Sequence, residues 1–281
     1  MNIFLDWKNT MLKNEIYDFY NAGVEIARLE KGLGKIEFFR TKEILSQYIQ
    51  GNNVIYDIGG GIGTYSAWLA KQGNDIHLLD LADTAITYAK EHMMNDCHFI
   101  AEVADARHVN RPDRSADVVL LMGPLYHMQD INDRKQTLKE VYRVLKDGAL
   151  LIVAGISKFS STTWALSTYG VNNNFIDDEI FFEMLKGELT TGIHNRPKEY
   201  PHLIAESFFS TPKSFGTELK EAGFSIVDKH AVEGCIWFTP CLDEKWSNDS
   251  SRKQLLEIIH MTEHEDEIIG MSPHFLLIGK K

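Results

Sequence analysis

The chain has 281 residues, 44% of them hydrophobic and 25% charged, with a formal net charge of −11. That length suits one large α/β domain with an insertion, or two small domains, built around a sizeable core. The acidity, with no run of lysine or arginine longer than two, argues against a partner nucleic acid, because neutralising phosphates supplies most of that affinity; it reads as a solubility property of the surface.

From the N-terminus, MNIFLDWKNT lacks the basic region and apolar core of a signal peptide, and no stretch approaches 18 apolar residues. Neither export nor a membrane partner is expected, and the cytoplasm is the expected location. Residues 1–50 carry helical spacing in Ile36, Phe39, Ile44, Leu45 and Tyr48, broken around Gly32 and Gly34, and predict an N-terminal helical layer. Alternation follows: a strand over 54–58, a helix from about 64, a strand over 75–79, a helix from about 83 and a strand near 98–102. Strands over 117–122 and 149–154 flank a helix over 133–145. Apolar strands alternating with helices predict a doubly wound, mostly parallel sheet covered on both faces, with residues 51–156 as its core.

Beyond Ile156 the composition turns to Ser, Thr and Asn, and helical spacing resumes in FIDDEIFFEMLKGEL. Residues 157–210 therefore read as an insertion. Residues 211–281 complete the same domain: Thr211 is a plausible N-cap and Gly223 a helix stop, a strand follows, then a helix over about 250–264 and a last strand in HFLLIG. Cys97, Cys235 and Cys241 are odd in number and form no C-x-x-C pair, so three reduced thiols are expected and no metal site.

The chemistry concentrates in VIYDIGGGIGTYSAWLA, Val54 to Ala70, and the run ending at Asp80. Glycine at 59, 61 and 63 permits positive φ and leaves no Cβ between backbone and ligand, while Gly60 adds a fourth glycine to the turn. Asp80 ends the second strand, where a carboxylate accepts from two ribose hydroxyls. The spacing is not that of a dinucleotide site: counted from Gly59, the third glycine of G-x-G-x-x-G falls on Thr64. Instead D-x-G-x-G-x-G, Asp57 to Gly63, resembles motif I of the class I S-adenosylmethionine-dependent methyltransferases. Four further blocks resemble that family in order: Asp80, AEVADAR at 101–107, DVVLLMGPLYHM at 117–128 and LKEVYRVLKDGALLIVAGI at 138–156, where Asp147 replaces the usual proline of the turn.

The resemblance implies a seven-stranded Rossmann-like fold whose last strand, Phe275 to Ile278, runs antiparallel, with the 157–210 insertion as a substrate lid. It implies S-adenosyl-L-methionine as cofactor and S-adenosyl-L-homocysteine as product, with Asp57, Gly59, Gly60, Gly61, Gly63, Asp80, Leu81, Asp105, Ala106 and Met122 as the cofactor site. Alternatives stand beside these roles. Asp57 can be a turn residue, Asp80 a helix N-terminal charge, and Asp105 solvated.

The loop at 123–128 faces the acceptor in this family. GPLY lacks the first polar residue and second proline of the N/D-P-P-Y loop, which sets aside nucleobase amino chemistry. His127 is the candidate base, since an imidazole titrates near neutral pH, or else a structural histidine; Tyr126 is its companion. Tyr17, Tyr20, Trp164, Tyr169, Phe175, Phe181 and Phe182 can wall the site, or simply pack. HMTEH, 260–264, has the spacing of an inverted zinc peptidase, but an exposed, charge-rich helix accounts for it. The expected activity is methyl transfer to a small molecule by a monomer or homodimer. RNA or protein methylation, a non-catalytic cofactor-binding protein and, less favoured, an NAD-dependent oxidoreductase are the alternatives.

Overall fold

The computed structural model describes residues 18, 20, 22, 23, 26, 28–167 and 175–281. Tyr17 and Tyr169 lie outside them.

A seven-stranded sheet organises the chain. Helix α1 (Leu33–Tyr48) starts immediately after Gly32, whose φ of 51° only glycine adopts readily, and precedes β1 (Val54–Ile58). Then come α2 (Thr64–Ala70), β2 (Asp75–Asp80), α3 (Asp83–Tyr88), β3 (Ile100–Val103) and β4 (Ala116–Leu121). Helix α4 (Ile131–Val144), N-capped by the Asp130 carboxylate, leads into β5 (Leu145–Ile156). The spatial order is β3-β2-β1-β4-β5-β9-β8, where β8 is Ser225–Ala231 and β9 His274–Lys280. The first five strands are parallel, and β9 runs antiparallel to both β5 and β8.

The inner strands β4 and β9 and the second half of β5 read as apolar runs because both faces are covered. Val118 and Leu120 of β4 enter one core with Ile44 and Leu45 of α1 and Leu69 of α2. Val119 and Leu121 enter the other, with Leu138 and Val141 of α4. Successive side chains thus serve opposite layers, the period-2 geometry of a strand.

The insertion carries α5 (Ser160–Leu166), α6 (Glu179–Thr191) and a two-stranded ribbon of β6 (Ile193–His194) and β7 (Ser207–Phe208). Helix α7 (Pro212–Glu221) begins in a capping box on Thr211 and stops before Gly223, at φ 102°. Near the C-terminus the helix expected over 250–264 is present, ending before Glu263, with a short helix on either side of it. The three are α8 (Leu242–Ser247), α9 (Asp249–Thr262) and α10 (Asp266–Met271). The break at Glu263 has a physical cause. Its carboxylate is drawn inward, 6% exposed, to an ion pair with the fully buried Arg40 of α1. HMTEH is therefore not one helical face, and the reading of it as a wholly exposed helix is corrected. No helix among the described residues is long and apolar enough to cross a membrane.

Gly155 of β5 pairs with Phe275 of β9, whose ring occupies the space a side chain would need: a Cβ at 155 would lie 2.3 Å from Phe275 Cζ. Gly155→Ala should therefore destabilise the fold by about 1–3 kcal/mol through overpacking, measured by urea denaturation, and Phe275→Leu in the same chain should recover part of the loss. Equal stability of Gly155→Ala and wild type would contradict this packing.

Candidate functional site

The strand order reverses direction between β1 and β4, and a cavity opens outside the C-terminal ends of β1, β2, β3 and β4, where open α/β sheets hold ligands. Counted with its solvent-filled mouth, it has about 1470 Å³ of empty space.

Its floor is the turn after β1. Gly59, Gly61 and Gly63 all take positive φ, at 73°, 57° and 80°. At Gly59 a Cβ would lie 2.3 Å from Pro124 Cγ, so this glycine lets the β1 and β4 loops close on each other. At Gly60 a Cβ would lie 2.4 Å from Asp57 Oδ2. The fourth glycine is thus what allows the Asp57 carboxylate to pack beneath the turn. Gly63 differs from the others: it is absent from the cavity wall, and a Cβ there would face Leu78 and Phe99 on the core side. Its conformation shapes the turn, and its Cα faces the core behind the cavity.

Three carboxylates end the first three strands or follow them, in different states. Asp57 is 1% exposed; Ser66 Oγ donates to its Oδ2 at 2.7 Å, and Oδ1 has no hydrogen-bond partner. Burial pushes its pKa up to about 6, the Ser66 hydrogen bond pulls against that, and the nearby charge of Asp80 adds to it. Asp80 accepts from the backbone N–H of Gly61 and of Ala82, each at 2.8 Å, which locks the turn to the end of β2. Asp105 is held by Arg107 in a bidentate contact, with Nη2 to Oδ2 at 2.6 Å, and Arg107 also reaches Asp133 at 2.9 Å. Those hydrogen bonds raise the guanidinium pKa further above its ordinary value. Asp105 is therefore neither solvated nor isolated.

The loop after β4 forms the opposite wall. Tyr126 donates its hydroxyl to Met122 O at 3.0 Å, turning back onto its own loop. His127 lies between two elements: Tyr20 Oη sits 2.5 Å from its Nε2, and Ser207 Oγ 3.3 Å from its Nδ1. Burial drives the imidazole pKa down to about 4, with the backbone carbonyl of Glu206 pulling weakly the other way. The sequence-based expectation of a base titrating near neutrality is corrected: desolvation keeps this ring uncharged at physiological pH.

Asp57, Gly59, Gly60, Gly61, Asp80, Leu81, Asp105, Ala106, Met122, Tyr126 and His127 all line the cavity. Of the expected aromatic wall, only Tyr20 among the described residues does so. Trp164, Phe175 and Phe181 instead stack on one another and on Tyr200, forming a small core within the insertion; Phe182 is exposed. These rings bury one another because the insertion has to supply its own apolar interior. From 157–210, only Glu206 among the described residues lines the cavity, so the insertion's contact with it is narrow.

Among the lining residues that the sequence reading did not single out are Tyr65 and Glu206. Tyr65 follows the glycine turn by two positions and brings a buried hydroxyl that faces Thr41; Glu206 has a buried Oε2 with no hydrogen-bond partner. A large aromatic at the second position of α2 was a readable signal for the first. No local pattern marks the second.

Residues 56–153 match the family described as a methyltransferase domain. The chain is 27% identical over 119 residues to the ubiquinone/menaquinone biosynthesis C-methyltransferase of Neisseria meningitidis, a match covering 41% of this chain and 47% of that protein. It thus spans about half the length of that relative. The enzyme of the same name from Chromobacterium violaceum is 26% identical over 195 residues, covering 67% of this chain and 73% of its own. A crystal structure of a protein described as an S-adenosylmethionine-dependent methyltransferase from Methanosarcina mazei superposes with a TM-score of 0.57 at 19% identity, covering 85% of this chain and 96% of that one. It shares the fold.

Because burial depresses the His127 pKa, its ring should titrate near pH 4 when followed by NMR of the histidine side chains. A midpoint between 6 and 7 would show that the ring is solvated.

Proposed function

From a chain whose fold and matched domain are those of the class I S-adenosylmethionine-dependent methyltransferases, we propose an enzyme that transfers a methyl group from S-adenosylmethionine to a small-molecule acceptor in the cavity at the ends of β1 to β4. The observation that carries this reading is the glycine cradle at the switch point, with carboxylates at 57, 80 and 105 around one cavity.

The residues fit the cofactor. Asp57 Oδ1 is a buried acceptor lacking a donor, suited to the ammonium of a methionine moiety; the cradle leaves open the space a Cβ would fill. Asp80 would hold the ribose hydroxyls, with Leu81, Asp105, Ala106 and Met122 around the adenine. When bound, the cofactor supplies a methyl group already activated by its sulfonium. The protein's part is then orientation and exclusion of water, which can supply about 7–11 kcal/mol in favourable cases.

At the acceptor end, neutral His127 is held by Tyr20 and backed by Ser207, with Glu206 bringing an unpartnered carboxylate oxygen. A ring with a pKa near 4 is a weak base, and both its nitrogens face protein groups, so its role is to fix the wall that the acceptor meets rather than to take a proton. The two relatives are named for C-methylation in ubiquinone and menaquinone biosynthesis, which favours an acceptor that is not a nucleic acid or protein here. The net charge of −11 disfavours RNA. A monomer or homodimer in the cytoplasm is consistent with this reading.

Calorimetry with S-adenosylhomocysteine should give binding that Asp80→Ala weakens tenfold or more, following from about 1.5–3 kcal/mol per charge-assisted hydrogen bond. If the Asp57 carboxylate holds the ammonium, only its ionised form binds well. With a pKa of about 6 in the free protein, affinity should fall about tenfold between pH 7 and pH 5. Asp57→Asn should bind weakly at both pH values yet be no less stable, since a buried charge is removed while the Ser66 hydrogen bond is kept. Unchanged affinity in both variants would sink the cofactor assignment.

His127→Ala should lower kcat while leaving homocysteine-compound affinity within twofold. A loss confined to cofactor binding would move His127 to the other half of the cavity.

A further inference from the structure

None of the cavity-lining residues belongs to a second cluster of polar side chains on β8, the edge strand of the sheet. Asp228 and His230 stand two residues apart and so share one face of that strand. The register against β9 shifts between Ile226 and Asp228, the kind of irregularity that re-aims side chains. His264, in the turn after α9, comes over the same face, its ring centroid 4.6 Å from that of His230.

The donor atoms converge. His264 Nδ1 lies 3.2 Å from Asp228 Oδ1, and His230 Nε2 lies 3.6 Å from Asp228 Oδ2. One ligand atom from each of the three residues falls within 4.8 Å of the others. Ligands at about 2.0–2.1 Å from a tetrahedral metal stand about 3.3 Å apart, so the two measured separations are those of a metal's coordination edge.

The surroundings of His230 point the same way. Its Nδ1 lies 3.1 Å from Glu263 Oε2. The Glu263 carboxylate, paired with Arg40, accepts a hydrogen bond from Nδ1 and leaves the Nε2 lone pair on the side of Asp228, the carboxylate–histidine arrangement that orients metal ligands. The Tyr48 hydroxyl stands 2.7 Å from that Nε2 and 2.6 Å from Asp228 Oδ2, and it has one proton for two acceptors. The corner is short of positive charge. Its neighbouring cations are already engaged, Arg40 with Glu43 and Glu263, and Lys229 with Asp266.

We propose that Asp228, His230 and His264 form a binding site for one divalent transition metal of the zinc class, with solvent completing the coordination on the exposed side. Two imidazoles and one carboxylate suit zinc better than calcium or magnesium, which prefer all-oxygen sets. The site would staple the turn after α9 to the edge strand and, through Tyr48, to the end of α1. His264 Nδ1 now also faces Lys229 O, at 3.1 Å, and must carry the proton in that contact. A metal at this nitrogen takes the other tautomer, with the proton on Nε2, and replaces the contact to Lys229 O. His260, the other imidazole of HMTEH, is turned to Glu43 at 2.9 Å and takes no part.

The test uses the chelator-stripped full chain titrated with zinc chloride alone. Calorimetry should give one zinc per chain, and zinc should raise Tm. His264→Ala, at an exposed position the fold tolerates, and Asp228→Asn should each weaken binding tenfold or more and abolish the Tm rise. His260→Ala should bind as wild type does, and the affinity for S-adenosylhomocysteine should not change in any of them. No zinc binding by the wild type, full binding by His264→Ala, or loss of binding in His260→Ala would each overturn the proposal.

Discussion

A carboxylate buried beneath a glycine turn sets the terms for the end of β1. Asp57 is almost wholly removed from water, yet only one of its oxygens is hydrogen-bonded within the protein. Burying such a group is unfavourable unless something completes its shell. Here the surroundings accommodate it without neutralising it: Gly60 yields the volume, Ser66 supplies one donor, and Asp80 adds like charge nearby. The result is a free-state cavity floor held in an electrostatically unfavourable condition that a cationic ligand group relieves.

The same economy governs the wall opposite. Gly59 and Gly123 are in contact across the gap between the β1 and β4 loops; a Cβ on Gly123 would come 3.0 Å from Gly59 O. The two loops are therefore spaced by backbone rather than side chains, and the position of His127 relative to Asp57 is fixed by the register of β1 on β4. Precision at the cavity derives from the sheet, and Tyr20 and Ser207 then clamp the one imidazole that faces it from outside the sheet.

Much of this was legible in the sequence, and for an identifiable reason. Strands buried on both faces are uninterrupted apolar runs, and a turn that needs positive φ at three positions advertises itself as glycines; both signals are local. The failures were non-local. Glu263 sits in a string of charges that reads as solvated, and only its pairing with Arg40, 223 residues earlier, takes it inward and ends α9. Trp164, Phe175 and Phe181 looked like cavity walls because aromatic content cannot say which apolar surface a ring will meet; Tyr200 and the other rings of the insertion meet them first. The depressed pKa of His127 depends on its desolvation, a property of the assembled cavity that no spacing in the sequence encodes.

Strand β9 has a consequence for how the chain reaches this state. It lies between β5 and β8 and is antiparallel to both, yet it is the latest of these strands to be made. Until it is synthesised, β5 has an open edge on that side and β8 has no sheet to join, so an unfinished chain exposes a template for pairing with another copy. Insertion of β9 closes both edges at once, and the Lys281 ammonium then binds the carbonyl oxygens of Tyr142 and Leu145 at the opposite end of β5 from the insertion. The parallel half of the sheet can assemble during synthesis, but its completion is a single late event, and the growing chain is most vulnerable to aggregation in the interval between β5 and β9.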